Sequence, residues 1–382
     1  MKILYFSPIL WNDLKQRPQH LAEELSKNHE VYYIEPSVSY LNCLIRKSDL
    51  YKPNYFPIDH NLTVRRFSGK FRFPKSFEVL DILGLNTLYQ ERQIKQLSQE
   101  CDIIWLGSPV YYALFRNTKD KVIVYDKMDD YAYLTRNPLL RRLIRKNEKQ
   151  LIDRASLIFT TCHVFFEQLK EKNNSVFLIK NGVDSFNFKT NISNRKNSIT
   201  SHIEELKNQG KTVFGYIGTI DHWFDFNAIE QIIRHNDKFD VVLIGKNNMP
   251  KLDQSNIYYF DPVKKEELAC IVNRFDFCLY PFKKDDFLDT INPVKLYEYL
   301  SQNKKVIAVS SNETREFENH IKLYSDYREL NNILSDLENI PNPFADNLQA
   351  GIFTSENSWS VKAEKISRQL VDVFNSKLSN EK

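Results

Sequence analysis

The sequence predicts an α/β protein of two domains, each built on a parallel sheet. Three observations carry this. Short apolar runs rich in β-branched and aromatic residues recur along the chain, separated by longer helical patterns. A polar stretch rich in Lys and Asn, from about 187 to 210, breaks that rhythm once, as a linker would, and the rhythm then restarts. Finally, 382 residues exceed the size at which a single core normally keeps growing.

In chain order, the expected strands of the first domain, residues 1 to 186, are KILYF (2 to 6), EVYYI (30 to 34), LTVRR (62 to 66), DIIWL (102 to 106), KVIVY (121 to 125), LIFTT (157 to 161) and VFLI (176 to 179). Those of the second, residues 211 to 355, are VFGYI (213 to 217), DVVLI (240 to 244), IYYF (257 to 260), DFCLY (276 to 280) and KVIAV (305 to 309). Residues 356 to 382 have helical spacing behind a Ser or Asn cap and read as a closing helix packing back toward the first domain. Turn and polar residues at 107 to 109, 126 to 130, 181 to 184, 218 to 223, 245 to 248 and 281 to 293 each directly follow a strand. Open parallel sheets bind ligands beyond the carboxyl ends of their strands, so this distribution suits a ligand cleft, although loops collect such residues in any α/β protein.

Composition narrows the function. An apolar share of 42% with 27% charged residues describes an ordinary globular protein, and a formal charge of +4 is too small over this length to argue nucleic-acid binding. Five cysteines, Cys43, Cys101, Cys162, Cys270 and Cys278, form no C-x-x-C pair, which fits reduced thiols and a cytoplasmic setting and argues against structural zinc. The opening MKILYFSPILW is too short an apolar run for a signal peptide, and no window approaches the roughly 20 apolar residues of a membrane span. Any membrane contact is expected to be peripheral.

The stretch TINPVKLYEYLSQNKKVIAVS (290 to 310) predicts a helix feeding a strand. Val294, Leu296, Tyr297, Tyr299 and Leu300 surround the helix almost completely, the mark of a buried element, yet Lys295 and Glu298 interrupt it. Asn292 suits the N-cap and Pro293 the first turn, so the positive helix end faces the preceding loop as an anion site, with Lys295 adding a full charge. Glu298 lies about 9 Å along the axis from the cap at 1.5 Å per residue, near the span from a diphosphate to the hydroxyls of its ribose. The plainer alternative is an i, i+3 ion pair worth a few tenths of a kcal/mol.

The segment INPVKLYEYL resembles the nucleotide-sugar-binding helix of the GT-B glycosyltransferases, particularly the bacterial enzymes that build capsular, teichuronic or other surface polysaccharides. RPQHLAEELSKNHEVYYIEP, VYDKMDDY, LIKNGVD, FGYIGTIDHWFDF and FCLYPF resemble that group's successive blocks, in order, over most of the chain. The resemblance implies two Rossmann-like domains facing across a cleft, with the donor against the C-terminal one. It implies that Glu298 holds the ribose, that Lys295 and the Ile291 and Asn292 backbone meet the diphosphate, and that Gly218 and Thr219 close around it. It also implies a base contact near Val263. Two departures stand out. Thr290 occupies a position that is Glu in many relatives, and DHWFDF lacks the basic residue many of them carry there, which raises the weight on Lys295 and Lys246.

Catalysis is expected from the first domain, where the resemblance puts VYDKMDDY near the acceptor. An inverting reaction needs a carboxylate within about 3 Å of the acceptor hydroxyl. Asp129 or Asp130 could serve, the alternative being that one caps the following helix while the other is solvated. His20 is a further candidate, against the plain reading of a packed or capping histidine. No metal or other cofactor is expected: GT-B enzymes use helix ends and basic side chains where GT-A enzymes use a cation. Between Arg46 and Lys75, eight Lys or Arg face two Asp and interleave with Tyr and Phe, and LLRRLIRKNEKQL (139 to 151) is a basic amphipathic helix. Such surface suits anionic lipid headgroups at the inner face of the cell membrane, or is simply solvated. The resulting expectation is a transferase moving a sugar from a nucleotide donor, a UDP-sugar first, to a glycan or lipid-linked acceptor. A sugar-nucleotide epimerase of similar fold and a non-catalytic nucleotide-sugar-binding subunit are the alternatives.

Overall fold

A computed structural model describes residues 1–13, 15–36, 55–65, 94–135, 137–183, 197–339 and 350–380. The chain forms two compact units, Met1–Lys180 with Trp359–Lys382, and Asn181–Ser358.

Unit 1 holds an eight-stranded sheet in the order β3-β4-β2-β1-β5-β6-β7-β8. Its strands are β1 (Lys2–Phe6), β2 (Glu30–Ile34), β3 (Tyr55–Pro57), β4 (Leu62–Arg65), β5 (Ile103–Leu106), β6 (Val122–Lys127), β7 (Leu157–Thr160) and β8 (Val176–Leu178). All neighbours are parallel except the β3–β4 pair at one edge. Strands buried on both faces need apolar residues at every position, which is why KILYF and IIWL read as continuous runs. Ile3 and Tyr5 face one side and Leu4 and Phe6 the other, each pair in its own apolar cluster. Helix α1 (Arg17–Ser26) covers the first side, and α2 (Tyr131–Leu134), α3 (Pro138–Arg154) and α4 (His163–Lys170) follow β6 and β7. Tyr5, set between its neighbours Tyr33 and Trp105, stacks on them at centroid distances of 5.8 and 5.0 Å.

Unit 2 holds a six-stranded, wholly parallel sheet in the order β11-β10-β9-β12-β13-β14. Its strands are β9 (Thr212–Ile217), β10 (Phe239–Ile244), β11 (Ile257–Phe260), β12 (Phe277–Tyr280), β13 (Lys305–Val309) and β14 (Lys322–Tyr324). Its helices are α5 (Ser198–Asn208), α6 (Phe226–His235), α7 (Lys265–Val272), α8 (Val294–Ser301), α9 (Tyr327–Asn339) and α10 (Ala350–Glu356).

Three expectations need correction. The stretch 187 to 210 is not all linker: α5 occupies residues 198 to 208, because Ile199, Ile203 and Leu206 recur at helical spacing and bury in the unit 2 core. Asn197 opens it with a capping box, its side chain accepting from the Thr200 N–H at 2.8 Å. Second, β6 runs on to Lys127, so Asp126 lies within the strand and is fully buried rather than on the loop after it. Third, the edge strands β3 and β14 are absent from the strands expected from the sequence: YFP ends on a proline and KLY opens on a lysine, so neither makes the apolar run that marks the equally short β8. The last helix, α11 (Trp359–Asn380), begins three residues later than 356 and lies in unit 1, where Trp359, Ala363, Ile366 and Leu370 join the cluster under α1.

Candidate functional site

In unit 2, β9 pairs with β10 on one side and β12 on the other, so the chain winds away from this point in both directions. That reversal opens a crevice beyond the strand ends, flanked by the turns after β9 and β12. The turn after β9 is Gly218–Thr219. A Cβ on Gly218 would stand 2.5 Å from the Tyr216 hydroxyl, and one on Gly245, at φ +142°, would stand 2.1 Å from the Gly218 carbonyl oxygen. Only glycine lets these two backbones approach so closely. The Tyr216 hydroxyl donates to the Thr219 carbonyl at 3.0 Å, fixing the turn, and Thr219 itself is exposed. Lys246, next to Gly245, is exposed, while its carbonyl accepts from the Ile220 N–H at 2.9 Å. Val263 is half-buried beyond β11, the strand at the sheet's outer edge.

The α8 helix begins on the other side of the switch point. The Ile217 N–H donates to the Tyr299 hydroxyl at 3.0 Å, pinning α8 to the end of β9. Lys295 and Glu298, both partly accessible, pair at 2.7 Å through Nζ and Oε2. The plainer sequence alternative, an i, i+3 ion pair, is thus the arrangement the chain adopts.

The start of α8 differs from expectation. The N-cap is Pro293, with no side-chain cap, and Asn292 is buried. Instead of capping, Asn292 Oδ1 accepts from the Asn181 N–H at 2.9 Å and its Nδ2 donates to Glu313 Oε2 at 3.2 Å. A tertiary demand, satisfying the chain where unit 2 begins, overrides the local capping preference. The Ile291 N–H is likewise engaged, donating to the Leu288 carbonyl at 3.2 Å to close a short 3-10 turn, so it is not the open backbone donor expected there. Thr290 also closes that turn, donating to the Phe287 carbonyl at 2.7 Å.

Sequence reasoning noted DHWFDF only for its missing basic residue. Here Asp221 accepts from Asn248 Nδ2 at 2.6 Å and from the His222 N–H at 2.7 Å, and these bonds hold its carboxyl down at about 2. Beside it, Trp223 lies 6.2 Å from Phe287 across the two turns, an aromatic wall that no spacing rule announced. The turn after β9 therefore carries fixed negative charge and aromatic surface, and the exposed Lys283 adjoins it, its N–H donating to the Trp223 carbonyl at 2.8 Å.

In unit 1 the corresponding switch point lies between β1 and β5. Loops there are tied together: Tyr111 donates to the Ser7 carbonyl at 2.9 Å, and Tyr131 to the Gly107 carbonyl at 2.7 Å. Behind them sits a buried ion pair that sequence reasoning missed. Arg17 grips Asp126 through Nε and Nη2 at 2.9 to 3.1 Å and donates from Nη1 to the Ile179 carbonyl at 2.8 Å. The one signal that could have found it is Asp126 standing in the apolar run VIVYDK; Arg17, within the polar stretch KQRPQH, gives none.

The two carboxylates that follow part company. Asp130 is the N-cap of α2, its Oδ1 accepting from the Ala132 and Tyr133 N–H groups at 3.0 Å each. Asp129 is exposed, and its carboxyl pKa is pushed up, by partial loss of solvation first, with Lys127 opposing and Asp126 adding; its exposure to solvent moderates the shift. His20 is buried one turn into α1, its ring stacked on Trp359 of α11 at 4.9 Å and 9°. Among the described residues, no group of three His, Cys, Asp or Glu side chains gathers as metal ligands would, and no helix is long and apolar enough to cross a membrane.

Comparison with known proteins finds no matching family model. Over 271 residues, 65% of this chain and 67% of the other, the sequence is 22% identical to a Bacillus subtilis (strain 168) protein described as "Putative teichuronic acid biosynthesis glycosyltransferase TuaH". Among solved structures, Anabaena Alr3699/HepE in complex with UDP and glucose superposes with a TM-score of 0.67 at 14% identity, covering 97% of this chain and 99% of that one. The α,α-trehalose 6-phosphate synthase of Burkholderia multivorans gives 0.69 at 12% identity, covering 98% of each. An E. coli trehalose-6-phosphate structure bound with UDP-2-fluoro glucose gives 0.71 at 12% identity, covering 98% and 99%. At these identities the structural likeness establishes the fold, which is GT-B.

Proposed function

We propose that this chain, with its GT-B fold, is a glycosyltransferase that moves a sugar from a nucleotide-diphosphate donor, a UDP-sugar first, to a glycan or lipid-linked acceptor in bacterial surface-polysaccharide synthesis. It works in the cytoplasm, with peripheral contact at the inner face of the cell membrane. Support comes from the fold, from the teichuronic-acid relative and from structural neighbours solved with UDP or UDP-sugars.

The observation that carries the reading is the Lys295–Glu298 pair in the first turns of α8, fastened by Tyr299 beside the Gly218 turn at the switch point of unit 2. A diphosphate at the positive end of α8 would draw Lys295 off Glu298. Glu298, released, accepts from the ribose hydroxyls. Gly218 and Thr219 present backbone to the phosphates at close range, Lys246 supplies a second cation, and Val263 lies toward the base. On unit 1, Asp129 takes the acceptor hydroxyl's proton: its raised pKa makes it a better base than an ordinary carboxylate, and unlike Asp130 it is not spent on capping. His20, packed on Trp359, orders α1 rather than touching substrate.

The test is incubation with UDP-sugars, with and without a membrane extract as acceptor source, reading free UDP and donor identity. Acceptor-dependent release is the expected result. Isomerised donor would replace the proposal with an epimerase, and binding without turnover would replace it with a binding subunit.

A further inference from the structure

We infer that residues 131 to 135 and 137 to 149 of unit 1 form the membrane-docking surface, in which a held apolar tip enters the interface of an anionic lipid bilayer and a row of basic side chains lies along its headgroups. The inference rests on the proposed function only for its purpose, bringing a lipid-linked acceptor to the edge of unit 1 that carries Asp129.

Three exposed large apolar residues cluster here within seven positions: Tyr133, Leu134 and Leu139 are 50, 45 and 59% accessible. Scattered exposed leucines need no explanation, but adjacent ones on a held scaffold do. The scaffold is held. Asn137 caps α3, its Oδ1 accepting from the Leu139 and Leu140 N–H groups at 2.9 and 3.2 Å. Arg141 reaches back from the first turn of α3 to the Ala132 and Thr135 carbonyls at 3.1 and 2.9 Å, clasping α2 against it. The apolar tip is therefore a fixed protrusion just beyond Asp129 and Asp130.

Along α3, Ile144, Asn147, Leu151 and Ile152 face the core. Arg142, Arg145, Lys146 and Lys149, at i, i+3, i+4 and i+7, are exposed, and no ion pair among the described residues neutralises them. Leu139 stands one turn before Arg142 on the same stripe, so this apolar residue and the basic row share a face of α3. Of the helix's two acids, Glu148 turns inward to pair with Lys127 at 2.6 Å and accept from the Tyr125 hydroxyl at 2.6 Å, which removes it from the outer face; Asp153 lies beyond the row, toward the far end. A helix with apolar residues at one end and unneutralised cations along the same stripe matches an anionic lipid surface better than a nucleic acid, which offers nothing for leucines to enter.

The test is sedimentation of the full-length protein with phosphatidylcholine vesicles, with and without phosphatidylglycerol. Binding to the phosphatidylglycerol vesicles that weakens with salt is expected, each basic residue contributing about fivefold to the partition coefficient. Arg142→Glu with Lys146→Glu should lower that coefficient by more than tenfold, and Leu134→Ser with Leu139→Ser should lower it independently of salt. A unit 1 melting transition equal to that of the parent protein shows that the variants are folded, and a UDP-induced thermal shift, because it reads unit 2, separates a failure of docking from a failure of the donor site. Binding undiminished in both variants would assign the membrane contact to another part of the chain and overturn the inference. Equal binding to phosphatidylcholine alone, or none to either vesicle, would also overturn it.

Discussion

At the scale of single residues, the site is organised by competition for hydrogen bonds. Asn292 could cap α8, but its amide instead joins the Asn181 N–H to the Glu313 carboxylate, leaving the helix without a side-chain cap. Glu298 is held by Lys295 at 2.7 Å, so under the proposed function donor binding would exchange one partner for another rather than create an interaction from nothing. Glu298→Ala is therefore expected to weaken UDP binding about tenfold, or about 1.4 kcal/mol, with a melting temperature close to the parent's. Calorimetric titration with UDP checks this, and unchanged affinity would remove Glu298 from the donor site. Asp129 makes a two-sided prediction. Its raised pKa means the folded chain holds that proton more tightly than the unfolded one, so its contribution to stability falls as pH rises from the ordinary aspartate range through the raised value. Asp129 is exposed, so solvent screening keeps that contribution small, and Asp129→Asn should leave the melting temperature at neutral pH close to the parent's while cutting kcat by two or more orders of magnitude. In the parent, kcat/KM should climb with pH through that same raised value and then level. A variant that keeps turnover would refute the base assignment.

At the scale of elements, helices and loops are fastened to strand ends by few but buried groups. Arg17 opens α1 and is bound to Asp126 at the end of β6 and to the carbonyl that follows β8. Replacing Arg17 by Met leaves Asp126, fully buried, without its counter-charge, an arrangement that costs about 3 to 5 kcal/mol. Urea unfolding of Arg17→Met should show a loss of that size, and Arg17→Met with Asp126→Leu should recover most of it because neither member of the pair is then left buried without the other. A double variant no better than the single one would mean that the bonds to the Ile179 region, rather than the ion pair, hold α1. Helix α5 shows the same economy, since one capping box and three apolar residues turn a polar stretch into a packed helix.

At the scale of the molecule, each unit has its own core, and the chain crosses between them twice, after Lys180 and after Ser358. Unit 1 is therefore discontinuous and depends on α11 for one wall. Deleting residues 359 to 382 should uncover the cluster beneath Trp359, Ile366 and Leu370, giving a protein that aggregates or melts early in unit 1, while UDP still raises the transition of unit 2. Differential scanning calorimetry with and without UDP reads both events. A truncated protein with the parent's thermogram would show that α11 contributes nothing to that core.

Most of the strands were legible in the sequence, because a fully buried parallel strand demands an unbroken apolar run, and such runs leave a mark that needs no partner to interpret. Lys295 and Glu298 were legible for a related reason: charges inside an apolar helix demand an explanation. What the sequence did not contain was which side chain each polar group would choose. Asn292 as cap or bridge, Asp130 as base or cap, and Arg17 with Asp126 as partners depend on contacts between residues far apart in the chain. Side-chain hydrogen bonds of comparable strength compete for the same donor, so propensity leaves the choice open, and only the packing of strand ends and helix starts within each unit decided it.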